Sequence, residues 1–206
     1  MSLIAKVKTR IHSVIRGRVQ KWGSARQKQK LWDAEFASGR WDFIENTSDD
    51  PIYGFIEKYC RNGNLLDLGC GSGNTGCELA DSTYQKYLGV DISEVALEKA
   101  RQRSTALQRA GRNNYLRSDI FDFTPGEKYD VILFRESIYY IPAPKIVAML
   151  ERYLTHLKPG GVIMVRLHDA NAEGKILTMI ESAFKVVENK SLIPGGAVVV
   201  IFNQGG

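Results

Sequence analysis

Several features are scarce or missing in this 206-residue chain, and each absence narrows what it can be. No uninterrupted apolar run approaches the roughly 20 residues of a membrane span. The first fifteen residues mix bases with aliphatics and do not separate a charged stretch from an apolar one, so they do not read as a secretory leader. Cysteines number three (Cys60, Cys70, Cys77), with no CxxC pair, which fits neither a disulfide framework nor a zinc site. A reducing, cytoplasmic setting is the expectation. Internal repeats and low-complexity segments are also missing, and 44% apolar with 25% charged residues excludes collagen-like and wholly disordered chains. A chain of this size buries enough surface to dispense with staples, and one main domain is expected.

Acidic residues are absent from residues 1–30, which carry nine Lys or Arg. The other 176 residues hold 19 bases against all 23 acids, so the positive charge belongs to an arm and not to a broadly basic nucleic-acid-binding body. Within the arm Ile4, Val7, Ile11, Val14, Ile15, Val19 and Trp22 recur at three- and four-residue steps. That spacing predicts a helix over residues 3–22 with one apolar stripe flanked by bases. Packing on the domain or on a second subunit, a peripheral contact with the inner membrane surface, and nucleic acid are the readings this pattern leaves open. Residues 1–50 form an arm and leader, with further helices expected at about 27–37 and 51–59. The main domain is 51–206.

From Asn64 onward short apolar runs alternate with helical patterns. Strands are expected at 65–68, 87–91, 129–134 and 162–167, and helices at 75–80, 94–107, 145–157 and 173–184. This order implies a parallel sheet with crossover helices. Residues 185–192 and 197–202 read as a closing antiparallel hairpin joined through Ile193, Pro194, Gly195 and Gly196.

The sharpest local signal is Leu65-Leu66-Asp67-Leu68-Gly69-Cys70-Gly71-Ser72-Gly73, a strand that runs through alternating glycines into a helix. Such glycines let the backbone bend where a Cβ would intrude. Residues 71–76 also spell G-x-G-x-x-G, a dinucleotide pattern. Asp67, two residues before the first glycine, argues against a pyrophosphate there and for a cationic ligand beside the loop. Asp91 ends the next strand, where a carboxylate can accept from both ribose hydroxyls.

With these segments in order the chain resembles the class I S-adenosylmethionine-dependent methyltransferases over about residues 64–202. The loop matches their D-x-G-x-G-x-G signature, Leu88-Gly89-Val90-Asp91-Ile92-Ser93 their ribose strand, Arg117-Ser118-Asp119-Ile120 their adenine position, and Leu157-Lys158-Pro159-Gly160-Gly161 the turn before their fifth strand. The resemblance implies a Rossmann-like α/β fold: a doubly wound seven-stranded sheet with an antiparallel C-terminal hairpin, preceded here by N-terminal helices. It implies S-adenosylmethionine as methyl donor and S-adenosylhomocysteine as product. Asp67, Gly69, Cys70, Gly71 and Gly73 would then surround the methionine moiety, Asp91 the ribose, and Ile92, Ser118, Asp119 and Ile120 the adenine. All of these lie beyond Asn64, so the arm is expected to be dispensable for donor binding.

The acceptor end carries fewer signals. Phe134-Arg135-Glu136-Ser137-Ile138-Tyr139-Tyr140 follows the fourth strand and falls at the ligand crevice. An acid followed by paired tyrosines is similar to the nodulation-type small-molecule N-methyltransferases. Glu136 is a candidate base for an amine and His168 for a hydroxyl, with Tyr139 beside them and Arg135 next to the donor. The N/D-P-P-Y/F tetrad of base and glutamine methylation and the Pro-Cys of cytosine C5 chemistry are missing. Asp169 and Asn171 only partly fit the ligand pattern of metal-dependent O-methyltransferases, and no metal is assigned. Trp32-Asp33 to Trp41-Asp42 resembles the leader of many small-molecule methyltransferases, with Trp41 and Tyr53 as a roof over the cofactor. A small-molecule or saccharide-type acceptor is expected, and no nucleic acid; a lipid-linked or macromolecular substrate docked through the arm is the first alternative and a non-catalytic nucleotide binder the second.

Overall fold

A computed structural model describes residues 3–45, 47–193 and 196–204, with the side chains of 3–12 outside the description. The side chains of the stripe residues Ile4, Val7 and Ile11, together with Pro194 and Gly195 of the hairpin connection, therefore lie outside what is described. Three helices lead in: α1 (Leu3–Trp22), α2 (Ala25–Ala37) and α3 (Ile52–Cys60). A capping box starts α2, with Ser24 and Gln27 satisfying each other's backbone N–H groups.

The sheet follows as β1 (Gly63–Leu68), β2 (Tyr84–Asp91), β3 (Asn113–Arg117), β4 (Tyr129–Arg135), β5 (Leu157–Leu167), β6 (Lys185–Ser191) and β7 (Val198–Asn203). The intervening helices are α4 (Asn74–Glu78), α5 (Glu94–Ala106), α6 (Ala143–Leu154) and α7 (Gly174–Ala183). Strand order is β3-β2-β1-β4-β5-β7-β6, and β7 runs antiparallel to both neighbours. The expected seven-stranded Rossmann-like sheet is thus formed. The strand at 113–117 is the element that the apolar-run pattern misses, because Asn113-Asn114-Tyr115-Leu116-Arg117 at the sheet edge is largely polar and half exposed.

Both faces of the sheet are covered, which is why its central strands read as continuous apolar runs. Leu66, Leu68, Ile132, Phe134, Ile163 and Val165 pack with Ile146, Leu150, Tyr153 and Ile180 of α6 and α7. Their neighbours Leu65, Val131, Leu133, Val162 and Met164 pack with Ile52, Tyr53 and Ile56 of α3. Strand order reverses between β1 and β4, which opens a crevice at their carboxyl ends.

Candidate functional site

The glycine loop leaves β1 at Gly69, whose φ of +82° favours glycine. A Cβ at Gly69 would collide with that of Ser137, whose hydroxyl donates to the Leu68 carbonyl. The backbone N–H groups of Gly69 and Cys70 both donate to the Val90 carbonyl, at 2.8 and 3.1 Å, so β2 holds the loop down. Gly71 N–H donates to Asp91 Oδ2 at 2.9 Å, while Asp91 Oδ1 accepts from Ser93 N–H at 2.9 Å. Burial raises the Asp91 pKa to about 6 against these hydrogen bonds.

Asp67 is buried at the loop's base. Its Oδ2 accepts from the Tyr87 hydroxyl at 2.8 Å, and its Oδ1 is buried without a hydrogen-bond partner. Burial pushes its carboxyl above the ordinary range. An orphaned carboxylate oxygen here is unfavourable unless a donor or cation arrives, which is what the ammonium of an amino-acid-bearing nucleotide supplies.

These groups border one cavity of about 600 Å³, the size of a small-molecule site. Of the residues expected from sequence, Asp67, Gly69, Cys70, Gly71, Asp91, Ile92, Asp119, Ile120, Arg135, Trp41, Glu136, Tyr139 and His168 line it together. Three do not. Gly73 serves packing: its φ is +80°, and a Cβ there would lie 2.8 Å from that of Ala100. Ser118 spends its N–H on the Asp91 carbonyl at 2.9 Å. Tyr53 is no roof; it is buried against α3's core partners, its hydroxyl donating to Glu78 Oε2 at 2.7 Å and accepting from Arg135 at 2.8 Å.

The leader supplies what the loop does not. Trp32, Phe36 and Trp41 line the cavity, with Trp32 edge-on to Tyr140 at 4.9 Å between ring centroids. Asp33 accepts from the Ser93 hydroxyl at 2.7 Å, which fastens α2 to the start of α5. Lys28 donates to Asp119 Oδ2 at 2.8 Å, while Asp119 Oδ1 accepts from Phe121 N–H at 3.0 Å. From α1, Gln20 lines the cavity, 5% exposed, and its Nε2 is buried without a partner. Arg16, one turn earlier on the same side, forms a two-pronged pair with Glu35, whose Oε2 also accepts from Trp41 Nε1 at 3.1 Å. The arm therefore takes part in the cavity, contrary to its expected dispensability. Phe36 lies on the leader pattern that begins at Trp32, but Gln20 sits opposite the apolar stripe and carried no sequence signal.

At the other end stands a charged cluster. Glu136 follows β4 with φ +58°, a strained position for a side-chain-bearing residue. Its Oε1 pairs with Arg166 Nη1, and its Oε2 is approached by the Tyr139 hydroxyl at 3.2 Å and by His168 N and Nδ1, each at 3.1 Å. Asp50 accepts from Arg135 Nη2 at 2.8 Å and lies 3.1 Å from Arg166 Nε. Sequence reasoning missed Asp50 and Arg166. A leader acid and an arginine at the carboxyl end of β5 meet only through folding.

A doubly wound sheet with an inserted antiparallel strand, a glycine loop at its switch point and carboxylates after β1 and β2 defines an α/β nucleotide-binding domain. A family described as a methyltransferase domain matches residues 61–200, and the chain belongs to that family. Over 122 residues the chain is 34% identical to a trans-aconitate 2-methyltransferase of Sinorhizobium fredii, covering 59% of this chain but 44% of that protein. It is 27% identical to a probable thiol methyltransferase 2 of Arabidopsis thaliana over 183 residues, 85% of this chain and 76% of that protein. In fold it is similar to the N-methyltransferase NodS of Bradyrhizobium japonicum, solved with S-adenosylhomocysteine, at TM-score 0.68, 18% identity, and coverage of 86% and 98% of the two chains.

Proposed function

We propose that this chain methylates a nitrogen or oxygen of a small metabolite or saccharide-type acceptor, with His168 as the proton acceptor. The observation that carries the reading is that one cavity joins the Asp67–Asp91 end to the His168–Glu136 pair. S-adenosylmethionine, when bound, supplies an electrophilic methyl on a sulfonium leaving group. Asp67, the Gly69–Gly71 backbone and Asp91 fit its amino-acid and ribose portions, and Ile92, Asp119 and Ile120 its adenine.

The chain's own task is to align the acceptor, exclude water and take a proton. A carboxylate only accepts, so at 3.1 Å Glu136 Oε2 requires the proton on His168 Nδ1, which leaves Nε2 free to receive one. Glu136 thereby acts as a positioning residue. With Arg166, Tyr139 and two His168 nitrogens already around it, it is poorly placed to be the base. Trp32, Phe36 and Trp41 give the cavity an apolar wall.

The relatives' names point to small acceptors, one to a tricarboxylate and one to a thiol. A carboxylate-rich acceptor needs unpaired cations, yet Arg135 and Arg166 are paired with Asp50 and Glu136. An acceptor that must lose a proton suits the cluster better. The test is methyl transfer from labelled S-adenosylmethionine to a panel of amines, hydroxylated and aminated saccharides, thiols and polycarboxylates. Transfer to amines or hydroxyls is expected; transfer confined to thiols, or to carboxylates that leave His168 no proton to take, would overturn the reading.

A further inference from the structure

The N-terminal helix presents two faces with different tasks. Arg16 and Gln20, one helical turn apart, point inward to Glu35 and the cavity. On the opposite side Val14 is 65% exposed, Ile15 56% and Trp22 61%. Arg18 and Lys21 are exposed beside them. An amphipathic helix that docks on its own domain buries its apolar stripe, and here Val14, Ile15 and Trp22 of that stripe face outward, with Val19 half-buried at its edge, while Arg16 and Gln20 pack inward. Outward display of Trp22 costs hydration free energy unless something covers it.

We infer that this outer face of α1 is a docking surface for an anionic lipid bilayer. Bases flanking a stripe of aliphatic and Trp side chains are what interfacial helices use: the apolar side chains enter the headgroup boundary while the bases meet lipid phosphates. Charge complementarity selects this occupant, because residues 1–30 carry no acid and Arg18, Lys21, Arg26 and Lys30 stay exposed while Arg16 and Lys28 are paired inward. A symmetric pair of copies joined through α1 would set this helix against one of the same charge. Among the described residues no helix is long and apolar enough to cross a membrane, so the contact is peripheral. The inference rests on α1 alone and holds whichever acceptor is methylated.

The full chain is mixed with phosphatidylcholine vesicles with and without phosphatidylglycerol and sedimented as salt is raised, alongside the double variant Ile15→Glu, Trp22→Glu. Neither residue lines the cavity, so S-adenosylhomocysteine affinity without vesicles reports folding and the donor site separately. Wild type is expected to bind only the phosphatidylglycerol vesicles and to be released toward ~0.5 M salt, with binding by the double variant down about tenfold or more. Three results would overturn the inference: no binding to anionic vesicles at low salt, equal binding by the variant, or equal binding to neutral vesicles. Self-association that the variant abolishes, or oligonucleotide binding, either one without vesicle binding, would equally overturn it.

Discussion

His168 Nδ1 lies 3.1 Å from Glu136 Oε2, and the same carboxylate oxygen accepts from the His168 backbone N–H at 3.1 Å. One acid therefore fixes both the ring and the chain that carries it, although 32 residues separate them. Hydrogen bonding on one ring nitrogen defines the lone pair on the other.

The pair makes different demands on its two members. His168→Ala should lower kcat by roughly 10²-fold with S-adenosylhomocysteine affinity within a few-fold. Glu136→Gln should lower kcat by about tenfold and alter the pH profile, because the amide keeps one acceptor oxygen but loses the charge that steadies the ring and cannot accept from Arg166 and His168 at once. Steady-state kinetics over a pH series checks this; an inactive Glu136→Gln beside a near-normal His168→Ala would make Glu136 the base.

Asp67 should trade stability for binding. Its Oδ1 is buried and unpartnered, and burial already penalises its charge. Asp67→Asn keeps an acceptor for Tyr87 and removes that charge, so the ligand-free Tm should rise. Affinity for S-adenosylhomocysteine should fall about tenfold or more. Calorimetry and thermal melts read both, and a lower Tm with unchanged affinity would refute the assignment.

For Asp91 the sign with pH is opposite for folding and for binding. Its folded pKa of about 6 exceeds the ordinary 3.8. The native chain thus holds the proton more tightly, and this group's stabilisation is complete below 3.8 and lost as pH rises through about 6. Ribose hydroxyls need the ionised acceptor, so S-adenosylhomocysteine affinity should weaken as pH falls through about 6. Titration calorimetry between pH 5 and 8 would show a flat profile if Asp91 did not meet the ligand.

Deleting residues 1–22 should weaken S-adenosylhomocysteine binding several-fold, because Gln20 and the Arg16–Glu35 pair leave with the arm. Unchanged affinity in the truncated chain would mean the arm contributes nothing to the donor site.

Gly69→Ala should destabilise the fold by about 1–3 kcal/mol or more, through its positive φ and the collision with Ser137. Chemical denaturation measures the loss; a change below about half a kcal/mol would show that the loop yields.

The sheet, its crossover helices and the glycine loop were legible in the residues because their signals are local. Apolar runs of strand length mark strands buried on both faces, and alternating glycines mark a turn that only they can make. Asp67 and Asp91 were legible too, since a strand's end in a doubly wound sheet has a known place at the crevice. The helical period of residues 3–22 was equally plain, but the face that packs was not. An amphipathic pattern reports that two faces differ, and it was tertiary contact that brought Arg16 to Glu35 and left Val14 and Trp22 outside. Tertiary contact likewise gathered Asp50, Arg166, Glu136 and His168 from the leader, the carboxyl end of β5 and two loops into one cluster. It also moved Tyr53 from an expected roof to a buried anchor. Short-range sterics and burial period are written along the chain, whereas pairings between charges scores of residues apart exist only once the sheet has set their distance.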